Sequence, residues 1–146
     1  MGKSEQYALV LAQIEALVDG ESDRIARMAN VAALLHETFG FWWTGFYRVQ
    51  NDELILGPFQ GPVACMHIPW GKGVCGTAWK NRSSVVVPDV EAFPGHIACS
   101  SASRSEIVVP VFEDGVVVAV LDIDSVSPGT FDETDREWLE KVVAYV

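Results

Sequence analysis

Apolar positions repeat at three- and four-residue steps at the start of the chain and at two-residue steps through its middle. Tyr7, Val10, Leu11, Ile14, Leu17 and Val18 form one stripe, which predicts a helix over 4–19 ended by Gly20. Ile25, Met28, Ala29, Ala32, Leu35 and Phe39 form a second, which predicts a helix over 23–39 with Ser22 as N-cap and Gly40 as its stop. The pattern then changes period. Strands are predicted at 42–49, 53–56, 63–68, 84–88, 104–112 and 116–124. Gln50-Asn51-Asp52 and Glu113-Asp114-Gly115 read as hairpin turns, the second as a three-residue loop. A short helical turn is expected after Gly73. Asp132 is expected to cap a last helix carrying Trp138, Leu139, Val142, Val143 and Val146, within which the chain stops.

Helices, then strands, then a helix argue for an α+β sandwich. Its centre is a mostly antiparallel six-stranded sheet, with the N- and C-terminal helices packed on one face. The other face is left for a pocket closed by the loops at 57–62 and 89–103. No repeat, low-complexity stretch or linker interrupts the chain. Its 146 residues, 49% hydrophobic, fit one domain, 1–146, with a substantial core.

Charge narrows the partners. Twenty acids against ten bases give a formal charge of -10, which repels nucleic acid and anionic membrane surfaces. No apolar run is long enough to span a bilayer. The first helical stretch carries Glu5, Gln13 and Glu15, unlike a signal peptide. Met1-Gly2 lacks the Ser or Thr at position 6 that myristoylation requires. A cytoplasmic, reducing location is expected, where thiols stay free unless chemistry oxidises them.

That matters because the chain has three cysteines, Cys65, Cys75 and Cys99. An odd number excludes a disulfide framework that uses them all. There is no Cys-x-x-Cys and no close His pair, so no zinc pattern matches, and no metal is expected. The choice is between inert buried thiols and a thiol-redox centre. Cys99 lies in the polar run Cys99-Ser100-Ser101-Ala102-Ser103, where a core thiol is not expected. Nearby His96, if charged, would lower its pKa. Cys75 sits at an expected helix N-terminus, which favours a thiolate.

Gly71-Lys72-Gly73-Val74-Cys75-Gly76 fits the spacing of a dinucleotide fingerprint, but the helical stretch after it ends too soon for a crossover. It is either a tight turn or an anion site at a helix N-terminus. Asp122 and Asp124 share one face of the last strand. With the three-residue loop, Glu106 falls opposite Asp122, giving three adjacent carboxylates able to bind an ammonium group or donate a proton. A one-residue change of register would turn Glu106 to the other face. The bland reading is that the acids cap a strand end in solvent. Trp42 and Trp43 are expected on opposite faces, one in the core and one toward the pocket. His36 and His67 have no partner visible in the sequence.

These residues carry a family resemblance. Gly57-Pro58-Phe59-Gln60-Gly61, Ile68-Pro69, the stretch from Gly73 to Ala78, the run from Phe93 to Cys99, Ser105-Glu106-Ile107-Val108 and the segment Leu121–Ser125 resemble the free methionine-(R)-sulfoxide reductases, single-domain members of the GAF fold. The likeness covers nearly the whole chain. It implies reduction of the free R-sulfoxide of methionine, without a bound cofactor, recycled by an external dithiol such as thioredoxin. It implies Cys99 as nucleophile, Cys65 and Cys75 as recycling thiols, and Trp43, Glu106, Asp122 and Asp124 as the substrate pocket. A homodimer remains open as the assembly. Ser100 stands where the family often has Asp, and His67 where Arg is frequent. The alternative is a small-molecule-sensing GAF module without catalysis.

Overall fold

The computed structural model describes residues 1–97 and 102–146. Its helices are α1 (Lys3–Val18), α2 (Arg24–Phe39), α3 (Gly73–Asn81) and α4 (Glu133–Val142), with short 3-10 turns at Val90–Ala92 and Val143–Tyr145. The strands are β1 (Trp43–Gln50), β2 (Glu53–Gln60), β3 (His67–Pro69), β4 (Val85–Val87), β5 (Ser105–Glu113) and β6 (Val116–Ser125). They form one sheet in the order β3-β2-β1-β6-β5-β4, and every paired neighbour is antiparallel.

The two-residue period of the strands sorts the core into two layers. Phe46, Ile107, Val109, Val111, Leu121 and Ile123 face α1, α2 and α4, meeting Tyr7, Ile14, Met28, Leu35 and Leu139 in one buried cluster. Trp43, Tyr47, Val108 and Val120 face the opposite way, where they join Leu54, Ile68, Val74, Cys75 and Ala78 in a second. Helix α3 lies against β5 and β6. The terminal helices therefore share one face, as expected, and the site lies on the other.

Local chemistry explains the helix ends and the departures from expectation. Asp23, not Ser22, caps α2: its side chain accepts from the Ala26 amide at 2.9 Å. Gly40 closes the helix in the left-handed region at φ 66°. Asp132 caps α4 as expected, in a reciprocal box with Asp135. The last apolar residues do not continue that helix, which tightens to 3-10 geometry at Val143.

Residues 57–60, expected in a loop, extend β2. Gly57 and Pro58 look like loop residues, but they sit where the β1–β2 register shifts, between the Tyr47–Leu56 and Gly45–Phe59 pairs. Two residues of β2 oppose Phe46 there, a bulge that accommodates a proline within a strand. The strand expected over 63–68 shrinks to His67–Pro69.

The β5–β6 register changes as well. The hairpin turn is Asp114-Gly115, both at positive φ (52° and 78°), a two-residue turn in place of the expected three. A bulge between Val111 and Phe112 adds a second one-residue shift. Glu106 therefore opposes Asp124, not Asp122, and Asp122 opposes Val108. The two shifts cancel in parity, so Glu106 stays on the same face as both aspartates.

Candidate functional site

The pocket opens between the sheet face and α3. Its lining includes Trp42, Trp43, Tyr47, Cys75, His96, Ser103, Glu106, Asp122 and Asp124.

One wall is aromatic. The Trp43 ring lies over Gly45, where an added Cβ would meet ring atoms at 2.7 Å. It stacks on Phe59 (centroids 5.2 Å) and Tyr47 (5.9 Å). Its indole N–H donates to the Pro62 carbonyl at 2.9 Å. The Tyr47 hydroxyl donates to the Cys65 carbonyl at 2.9 Å, fixing the segment after β2. Trp42 does not turn away from Trp43. It precedes the first residue of β1, so strand alternation does not govern it, and both indoles line the pocket.

The neighbouring stretch of the same sheet face is acidic, with Asp124 pairing with Trp43 and Asp122 with Gly45 across the β1–β6 ladder. Glu106 and Asp122 are each only 6% exposed, so they are not solvated strand caps. Burial, reinforced by the neighbouring aspartates, pushes the Glu106 carboxyl well above its usual range. Burial and the Asp122 charge do the same to Asp124. Asp122 is also raised by burial, but hydrogen bonds from Glu106 and Cys75 oppose the shift. Asp122 Oδ1 is buried without a hydrogen-bond partner among the described residues. The Ser103 hydroxyl donates to Asp124 Oδ1 at 3.3 Å, and His96 Nε2 lies 3.8 Å from Glu106 Oε1. The arrangement can present a mixture of protonated and ionised carboxyls to one bound molecule.

The floor is the start of α3. Gly73, Val74 and Cys75 at its N-terminus line the pocket with Lys72. Gly76 lets α3 approach the end of β3: a Cβ there would meet the Pro69 carbonyl oxygen at 2.7 Å. With α3 only nine residues long and the sheet antiparallel, the glycine run is not a dinucleotide fingerprint.

The thiols differ. Cys75 is a free thiol, 4% exposed. Burial first, then the charges of Asp122, Glu106 and Asp124, push its pKa well up. The helix N-terminus expected to favour a thiolate is outweighed. Cys65 is half-buried and disulfide-bonded. Cys99 lies outside the described residues. Two histidines without visible partners in the sequence have them in space: His36 Nδ1 meets Thr44 Oγ1 at 3.1 Å, and His67 Nδ1 meets Glu53 Oε1 at 2.8 Å. Neither lines the pocket. Tyr47 and Ser103 were not singled out in the sequence. Tyr47 shares the pocket-facing parity of Trp43 and was legible on that ground; Ser103, in an irregular segment, had no such signal.

Comparison with known proteins places this geometry. The family model described as "GAF domain" matches residues 22–146. The chain is 54% identical to GAF domain-containing protein A of Dictyostelium discoideum, over 97% of this chain and 90% of that protein. It is 46% identical to the free methionine-R-sulfoxide reductase of Escherichia coli, over 99% of this chain and 88% of that one. The X-ray structure of free methionine-R-sulfoxide reductase from Neisseria meningitidis in complex with its substrate superposes with a TM-score of 0.97. There the identity is 54%, covering 99% of this chain and 88% of that one.

Proposed function

Because the chain belongs to the free methionine-R-sulfoxide reductases within the GAF-domain family, we propose that it reduces free methionine-R-sulfoxide to methionine in this pocket. The observation that carries the reading is the carboxyl cluster of Glu106, Asp122 and Asp124 set beside Trp43 on the pocket-facing side of the sheet, with the start of α3 lining the same pocket.

The substrate is a zwitterion with a sulfoxide at its far end. Asp122, raised by burial but with that shift opposed by hydrogen bonds from Glu106 and Cys75, accepts the α-ammonium. The amides at the start of α3 take the α-carboxylate. The Trp43 ring packs against the S-methyl group. A peptide-bound methionine lacks both charged ends, and this site rejects it.

The chemistry uses Cys99 as nucleophile. Its thiolate attacks the sulfoxide sulfur while a protonated carboxyl, Glu106, gives its proton to the oxygen. The attack forms an S–S bond between Cys99 and the substrate sulfur. The hydroxyl then migrates to the Cys99 sulfur as the substrate S–O bond and the new S–S bond break, methionine departing with the S–S electron pair and Cys99 left as sulfenic acid. A second thiol condenses with it, releasing water and forming a disulfide. Cys65 is favoured over Cys75 as that thiol, because Cys65 is disulfide-bonded whereas Cys75 is a buried, protonated thiol beside Asp122. An external dithiol of the thioredoxin type returns both cysteines to thiols. We place the reaction in the reducing cytosol. No helix among the described residues is long and apolar enough to cross a membrane. Sedimentation velocity at assay concentration distinguishes a homodimer from a monomer.

The test is a single-turnover reaction of the reduced chain with excess free methionine-R-sulfoxide, followed by thiol counting and mass spectrometry. The reading expects one methionine formed per chain, two thiols lost, and a Cys65–Cys99 peptide. Cys65→Ser should still release one methionine but stop at a dimedone-trappable Cys99. Methionine formation by Cys99→Ser would overturn the assignment of the nucleophile. No methionine from the wild-type chain would leave the sensing module as the better account.

A further inference from the structure

The cysteine spacing matches no zinc pattern, yet the fold assembles a ligand set from three separate elements. Cys75 on α3, Glu106 on β5 and Asp122 on β6 each bring one ligand atom to within 4.8 Å of the others, and all three residues are buried. The second, independent observation is Asp122 Oδ1, a buried carboxylate oxygen with no hydrogen-bond partner among the described residues, on a side chain lining the cavity.

We propose that the reduced pocket is a binding site for a thiolate-seeking divalent cation, Zn²⁺ being the physiological one, held by Cys75 Sγ, Glu106 and Asp122. This goes beyond the reductase reading, and its first test needs no substrate.

The donor types select the metal. One sulfur and two carboxylate oxygens suit Zn²⁺, whereas Mg²⁺ prefers oxygen donors and keeps its waters. Zinc holds sulfur at about 2.3 Å and carboxylate oxygen at about 2.0–2.2 Å, so its tetrahedral ligands sit about 3.5 Å apart. Binding therefore draws the three ligand atoms closer together than the 4.8 Å within which they lie. The Cys75 S–H bond breaks on binding and its proton passes to the buffer, as do the protons of any protonated carboxyl in the set. No electron is transferred. The dication would offset the repulsion among buried acids. It would also occupy the place proposed for the substrate ammonium, so zinc and free methionine sulfoxide should exclude each other.

The experiment uses the full chain with Cys65→Ser and Cys99→Ser, so that Cys75 is its one thiol. Titration calorimetry with ZnCl₂ should show one ion per chain and no heat with MgCl₂. Co²⁺ should give the near-ultraviolet band of a thiolate-to-cobalt charge transfer. Adding Cys75→Ser should abolish that band. Asp122→Asn or Glu106→Gln, each shown folded by circular dichroism, should weaken zinc by about tenfold or more. Should the double variant not fold, the reduced wild-type chain is compared with Cys75→Ser in the same two measurements. A cobalt spectrum without the thiolate band, or zinc affinity unchanged in both carboxyl variants, would overturn the proposal. If zinc binds and saturating free methionine-R-sulfoxide leaves its affinity unchanged, the shared position is wrong.

Discussion

Glu106 stands directly across the β5–β6 ladder from Asp124, and Asp122, two residues earlier on the same face, opposes Val108. Like charges directly opposite each other destabilise a sheet. The pair persists because burial keeps both carboxyls above their usual range. The cluster is thus an acid reservoir in which Asp122 Oδ1 has no hydrogen-bond partner among the described residues.

Replacing that oxygen should damage the reaction more than the fold. Asp122→Asn keeps the shape but removes the charge that receives the ammonium. A fall in kcat/KM of about a hundredfold or more is expected in steady-state assays, carried mainly by KM. Near wild-type kcat/KM would sink the assigned role.

The protonated carboxyls also predict a pH dependence of stability. Glu106 holds its proton more tightly when folded than at its ordinary value of 4.5. The folded state then binds more protons than the unfolded one, so the slope of stability against pH is negative. Its contribution is fully present below about 4.5 and is lost as pH rises toward the folded pKa. Urea unfolding at several pH values should show Glu106→Gln gaining stability relative to wild type as pH rises. A constant difference would contradict a raised Glu106.

Gly45 offers a test of the aromatic wall. A Cβ there would meet Phe59 Cβ at 2.4 Å and the Trp43 ring at 2.7 Å. Gly45→Ala should cost about 1–3 kcal/mol and displace the indole. KM should rise, with a change in tryptophan fluorescence. An unchanged KM would argue that Trp43 does not contact the substrate.

The helix-covered face gives the converse. Tyr7 is fully buried and donates to Asp135 Oδ1 at 2.6 Å, and Lys3 Nζ meets Asp135 Oδ2 at 2.7 Å. Tyr7→Phe removes one charge-assisted bond and should cost about 1.5–3 kcal/mol in urea unfolding. Turnover should stay at the wild-type level at a temperature where the variant is folded.

Much of this architecture was legible because period is local. The stripe Tyr7, Val10, Ile14 and Val18 specifies α1 and its buried face, and the shared parity of Asp122 and Asp124 follows from strand geometry alone. What was not legible depended on pairing. The bulges opposite Phe46 and beside Val111 add residues that no single strand announces. Pro58, a loop signal locally, became a strand residue because a bulge held it. Trp42 was misread because the strand begins one residue later. The Cys75 expectation weighed the helix end and could not see three carboxyls arriving from other strands. The meeting of Cys75 with Glu106 and Asp122 is a tertiary fact in the same sense.

The most direct test of the central claim is NADPH oxidation coupled through thioredoxin and thioredoxin reductase. Free methionine-R-sulfoxide, free methionine-S-sulfoxide and a sulfoxide peptide are offered in parallel, each repeated with dithiothreitol as sole reductant and methionine measured directly. Turnover on the free R form alone, abolished in Cys99→Ser, is the predicted result. Equal turnover on the peptide, or none on the free R form with either reductant, would contradict it.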